Sequence, residues 1–187
     1  MKKIGLFSSV FSSCLFLAGC IGPPEKTEFY QELIGPNVSG CLNGYHVVEN
    51  EGLCEDFRVG DVFIEVMPRG SKKYYQDPEK SPYKIPAVVC SVQRKNDFDF
   101  KNNVKIDDIV VSTNTGKKFT EFEWGFGNYN SECKYLFVKP RLDLNVEEDR
   151  ELHVKIRMTV LSPEVATKEI NFAFEGKSEW YLPFYGP

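Results

Sequence analysis

An all-β fold is predicted, an antiparallel sandwich of about eight strands stapled by two disulfides. Three observations predict it. Apolar residues alternate with polar ones over several short segments, turn residues separate those segments, and no stretch keeps a long helical period. The clearest alternation is Leu152, Val154, Ile156, Met158 and Val160, interleaved with Glu151, His153, Lys155, Arg157 and Thr159. One face is apolar and the other charged, as in a half-buried antiparallel strand.

Ile170, Phe172 and Phe174 form the matching face of a second strand, and Ser162, Pro163 and Glu164 supply the turn between the two. Further strands are expected at Tyr45 to Glu49, Asp61 to Met67, Ile85 to Gln93, Val104 to Ser112, Phe119 to Phe126 and Cys133 to Val138. Glu28 to Ile34 suits a helical turn or two before Gly35 and Pro36 stop it. Pro68 to Pro82 reads as one long loop carrying Arg69, Lys72, Lys73, Tyr74, Tyr75 and Lys80.

The amino terminus is of a different kind. Lys2 and Lys3 precede an uncharged, mostly apolar run from Ile4 to Ala18, the charged-then-apolar order of an export signal. The run is too short to span a bilayer, which takes about 20 apolar residues. Leu17, Ala18, Gly19 and Cys20 read LAGC, and this motif resembles the lipobox of bacterial lipoproteins. The resemblance covers the first 20 residues. It implies that Cys20 receives diacylglycerol, that residues 1–19 are removed, and that the product is held on a membrane. Cys14 fits less well, because Phe11 stands where lipoboxes favour leucine. In a Gram-negative host, Ile21 in place of an aspartate implies the outer membrane, with the protein facing the periplasm. Residues 20–27, rich in proline, glycine and charge, suit a lipidated tether, and residues 28–187 a single domain.

Removal of the signal leaves 168 residues, with 21 basic side chains against 27 acidic, where the whole chain has 23 against 27. An acidic surface disfavours nucleic acid as a partner, since phosphate binding needs cations to release counterions. Cys41, Cys54, Cys90 and Cys133 then enter an oxidising compartment. Four thiols allow three connectivities, of which Cys41 to Cys54 with Cys90 to Cys133 is preferred. Cys90 shares a face with Val88 and Val92, and Cys133 with Tyr135 and Phe137, so that bridge is expected to point into the core and pin one sheet to the other. The plan loosely resembles immunoglobulin-like sandwiches, in which a tryptophan packs on an inter-sheet disulfide; Trp124 lies between Cys90 and Cys133. It departs from that pattern by following Cys90 at 34 residues where about a dozen are usual.

No catalytic constellation is evident. His46 and His153 are the two histidines, no cysteine pair has zinc-ligand spacing, and nucleophile-elbow, Walker and dinucleotide motifs are absent. Asp97, Asp99, Asn102 and Asn103 lack the glycine and closing glutamate of a calcium loop. The run Glu147, Glu148, Asp149 suits a solvated turn. No metal, cofactor or catalytic residue is therefore assigned. The expected activity is non-enzymatic protein binding, with Tyr74, Tyr75, Phe126 and Tyr129 as candidate partner-binding aromatics. Its narrower form is an immunity protein neutralising a toxic effector, and its alternative an accessory lipoprotein of a secretion system or pilus. Trp180, Tyr181, Leu182, Phe184 and Tyr185 are expected to pack as a last strand, with an exposed binding patch as the alternative.

Overall fold

The computed structural model describes residues 24–33, 42–43, 46–47, 55–72, 78–91, 98–129 and 132–181. Among them nearly all regular structure is antiparallel β. The strands are β1 (Glu25–Glu32), β2 (Leu42–Asn43), β3 (His46–Val47), β4 (Arg58–Val59), β5 (Val62–Val66), β6 (Arg69–Ser71), β7 (Lys80–Lys84), β8 (Ala87–Ser91), β9 (Val104–Thr113), β10 (Lys118–Phe119), β11 (Glu123–Asn128), β12 (Cys133–Lys139), β13 (Glu151–Val160) and β14 (Ala166–Tyr181). One four-residue helix, α1 (Phe100–Asn103), precedes β9. Ten strands make two five-stranded sheets, in the orders β1-β14-β13-β9-β10 and β11-β12-β8-β5-β4; β2-β3 and β6-β7 are separate hairpins. Thus there are more strands than the eight expected.

The alternation read in β13 is the structural rule of the first sheet. Leu152, Val154, Ile156, Met158 and Val160 are buried, and Phe174, Phe172 and Ile170 stand directly opposite the first three. The inner faces of both sheets contribute to one core, with Val62, Ile64, Val89 and Leu136 from the second sheet in the same cluster as Val111, Ile156 and Phe172 from the first. Burying such faces is the main stabilising term of the fold. At the β4–β5 turn Gly60 has φ 53°, and a Cβ there would lie 3.4 Å from that of Ala166, so backbone freedom and close approach both favour glycine.

Several expectations are corrected. Glu28 to Glu32 is strand, not helical turn, because β1 pairs with β14 from Glu25↔Tyr181 to Glu32↔Phe174. That strand also takes in Glu25 to Thr27, the last residues assigned to the tether. Phe119 to Phe126 is not one strand: β10 pairs with β9, β11 pairs with β12, and residues 120–122 cross between sheets. Pro68 to Pro82 is not all loop: β6 and β7 occupy parts of its two ends and pair through Arg69↔Lys84 and Ser71↔Lys80, while residues 73–77 lie outside the described residues. At Tyr45 to Glu49 the described part is β3, which pairs with β2 just before it.

Cys90 and Cys133 are bonded to each other. They are cross-strand partners in one sheet, however, and do not join the two. Val89 and Leu136 take the core face, which leaves Cys90 and Cys133 on the opposite one, in a smaller cluster with Phe63 and Val88 against which Tyr129 and Tyr135 pack. Trp124 does not pack on this bridge; it aligns with Val138 on the core side. Cys20, Cys41 and Cys54 lie outside the described residues. Trp180, the first residue of the aromatic tail, lies in β14 but is 76% exposed rather than packed, and Leu182, Phe184 and Tyr185 lie outside the described residues.

Candidate protein-docking edge

β11, with sequence EWGFGN, pairs with β12 on one side and ends its sheet on the other. Alternation along the strand sends Trp124 and Phe126 toward the core side, opposite Val138 and Leu136. Trp124 remains 41% exposed. Its ring meets that of Phe126 edge-on at 5.8 Å, Phe126 lies 6.3 Å from Phe100, and Phe100 lies 4.8 Å from Phe98. These four rings, with Lys101 and Lys134, line a groove of about 550 Å³ along the open edge.

Asp99 fixes the far wall. Its Oδ1 accepts from the Asn102 backbone N–H at 3.2 Å and its Oδ2 from Asn102 Nδ2 at 2.6 Å, capping α1. The aspartate weighed as a metal ligand is thus a helix cap that seats Phe98 and Phe100. Asp99 keeps its negative charge, so Lys101 and Lys134 leave the groove with a net charge of one positive unit.

The other face of β11 carries Gly125 and Gly127. A Cβ at Gly127 would collide with the Phe137 ring, whereas at Gly125 it would meet nothing within 4 Å. Glycine at 127 lets the Phe137 ring lie across the strand. Phe137 is 52% exposed and continues a row in which ring centroids are 5.9 Å apart to Tyr135 and 4.4 Å from Tyr135 to Tyr129. Both faces of this end of the sheet are therefore aromatic.

Sheet edges offer unpaired N–H and C=O groups, and proteins usually blunt them. Here β1 is covered by the β6-β7 hairpin, with Glu28 N–H donating to the Glu79 carbonyl at 3.0 Å and Glu79 N–H to Thr27 Oγ1 at 3.1 Å. β4 and β10 are two residues long. β9, beyond its pairing with β10, carries Lys105, Asp107 and Asp108 and a register shift opposite Arg157 and Met158. Among the strands that end the two five-stranded sheets, β11 is the long one for which the described residues provide no bulge, cover or row of charges.

Of the aromatics expected to bind a partner, Phe126 lies in the groove and Tyr129 in the row on the opposite face; Tyr74 and Tyr75 lie outside the described residues. Sequence reading missed Phe98, Phe100 and Phe137, which are separated from β11 in the chain and reach it through α1 and β12. The Gly-aromatic alternation of EWGFGN was the available signal.

A second cleft of about 430 Å³ opens between β1 and β5, where Glu32, Glu65, Glu79, Arg69 and Lys72 converge. Lys72 pairs with Glu79 at 3.2 Å. Burial pushes the Glu65 carboxyl up to about 7, the nearby Glu32 adds to the rise, and Arg69 draws it back. Burial also raises Glu32. A carboxyl titrating near neutrality can hold or release a proton at working pH.

No protein-family model, curated protein or solved structure matches the chain.

Proposed function

We propose that the chain is a lipid-anchored protein of the bacterial cell envelope, attached through Cys20, and that its β-sandwich is a non-enzymatic protein-binding module. The β11 edge is the observation that carries this reading. It combines backbone groups that have no strand partner among the described residues with an aromatic groove, the two elements by which an extended segment is recognised when it adds to a sheet. Backbone pairing supplies affinity, while alternate side chains of the incoming strand fill the space beside Trp124, Phe98 and Phe100. Lys101 and Lys134 favour a segment that also carries a carboxylate. In its narrower form the partner is a toxic effector and the protein confers immunity; in the alternative it is a component of an envelope assembly.

A photoreactive residue at Gly125, where a side chain meets open space, tests the reading in intact cells. A discrete adduct is expected from position 125, none from Arg157 on the exposed face of the first sheet, and loss of the adduct in Trp124→Lys. Equal labelling from both positions would contradict docking at this edge. One small adduct favours an effector, and a large complex favours an assembly.

The Glu65 cleft favours a second reading, an enzyme using Glu65 as a general acid. Glu65→Gln distinguishes the two: the binding module keeps its adduct and its biological effect, whereas the enzyme loses the effect and keeps the fold.

A further inference from the structure

β14 runs on past β13. Its last pair with β13 is Glu175↔Glu151, and from Gly176 to Tyr181 its strand neighbour is β1 alone. The two form a ribbon, with the turn of residues 145–150 packed at its base, where Gly176 N–H donates to the Arg150 carbonyl at 2.6 Å. Near the tip Lys26 faces Trp180, and Lys26 pairs with Glu147. Trp180, 76% exposed, heads the exposed large apolar side chains among the described residues.

The position of this tip in the chain gives it a neighbour. Glu25 is the fifth residue after Cys20, a reach of at most about 18 Å when fully extended. Lys26 is the next residue, and Trp180 is its cross-strand partner. Whatever path the tether takes, a diacylated Cys20 keeps the Trp180 end of the ribbon within a short distance of the lipid surface. Tryptophan is the side chain that concentrates at the membrane interface, because its ring is apolar and its indole N–H remains able to bond water or headgroups.

We infer that the β1–β14 ribbon tip is a membrane-docking surface on which Trp180 inserts at the headgroup level of the bilayer that holds Cys20. This rests on the anchoring reading above. Docking at a second point turns a loose tether into a defined orientation. It does not depend on anionic lipid, since Glu25 and Glu179 flank the same tip.

The two tryptophans make the test self-controlled. The full lipoprotein is reconstituted in phosphatidylcholine vesicles with and without brominated acyl chains, as Trp124→Phe, which keeps Trp180 as the emitter, and as Trp180→Phe, which keeps Trp124. Bromolipid is expected to lower Trp180 emission at least twofold and to leave Trp124 emission unchanged. Intact mass of the same samples separates the two levels of the claim. An unacylated chain would remove the anchor and the docking proposal together, whereas an acylated chain whose Trp180 is no more quenched than Trp124 overturns docking alone.

Discussion

The Asp149 carboxylate is fully buried, in a run of acids that reads as a solvated turn. Burial alone would raise its pKa, but bonds from Lys117 and Thr115 and the backbone N–H of Asn145 outweigh it and hold the group below the usual carboxylate range. Lys117 Nζ lies 2.7 Å away and Asn145 N 2.9 Å away. Removing the carboxylate leaves the half-exposed Lys117 and two other donors without a partner, so Asp149→Ala is expected to cost about 2 kcal/mol in urea unfolding, with Glu148→Ala near neutral. Because the folded pKa is depressed, this contribution is complete above the ordinary carboxylate range and disappears as pH falls below it. Sequence marked this position as charged and turn-forming, which fits the exposed Glu147 and Glu148. It held no sign that the third acid turns inward, since that depends on Thr115 and Lys117, more than 30 residues away.

Glu65 has the opposite sign. Its folded pKa of about 7 lies above the ordinary value of 4.5, so the folded state holds its proton longer than the unfolded state and stability falls as pH rises between those values. Glu65→Gln is therefore expected to raise the melting temperature at pH 8, with the gain shrinking to nothing by about pH 4. A gain that is the same at both pH values would show that burial does not act on the ionised form.

Among the elements, β13 and the Ile170 to Phe174 part of β14 were legible because each has one buried and one wet face, which writes a period of two into the sequence. The break between β10 and β11 was marked only by Thr120 and Glu121, two polar residues in succession that shift the alternation between Phe119 and Phe122, with no turn residue at the switch of sheets. The face of the disulfide was not legible. In β8 all five residues are buried, so alternation cannot say which side meets the core; the rings of Phe63, Tyr129 and Tyr135 cover the outer one. At a sequence separation of 43, Cys90 and Cys133 close a loop whose loss is expected to cost about 4 kcal/mol in the Cys90→Ala/Cys133→Ala double variant. Gly127 and Phe137 make a sharper test of β11. Gly127→Ala is expected to destabilise by about 1–2 kcal/mol, and Phe137→Ala to cancel most of that cost in a double-mutant cycle, because the penalty is a collision with that ring.

Across the whole molecule the two proposed contacts fall on opposite sides. β1, next to the anchor, ends the first sheet at one edge; β10 ends it at the other, and three residues carry the chain from there to β11. A protein tied down beside β1 thus presents its docking edge away from the tie. The sequence made the β class legible. It left the docking edge obscure, because an edge is defined by the strand that is missing beside it. The account depends most on acylation of Cys20, and intact mass spectrometry of the envelope fraction tests that directly. The predicted result is a chain beginning at Cys20, heavier by its diacylglycerol and acyl groups and lighter by the hydrogens lost from oxidised thiols. A chain that begins at Met1, or one processed but without lipid, would contradict it.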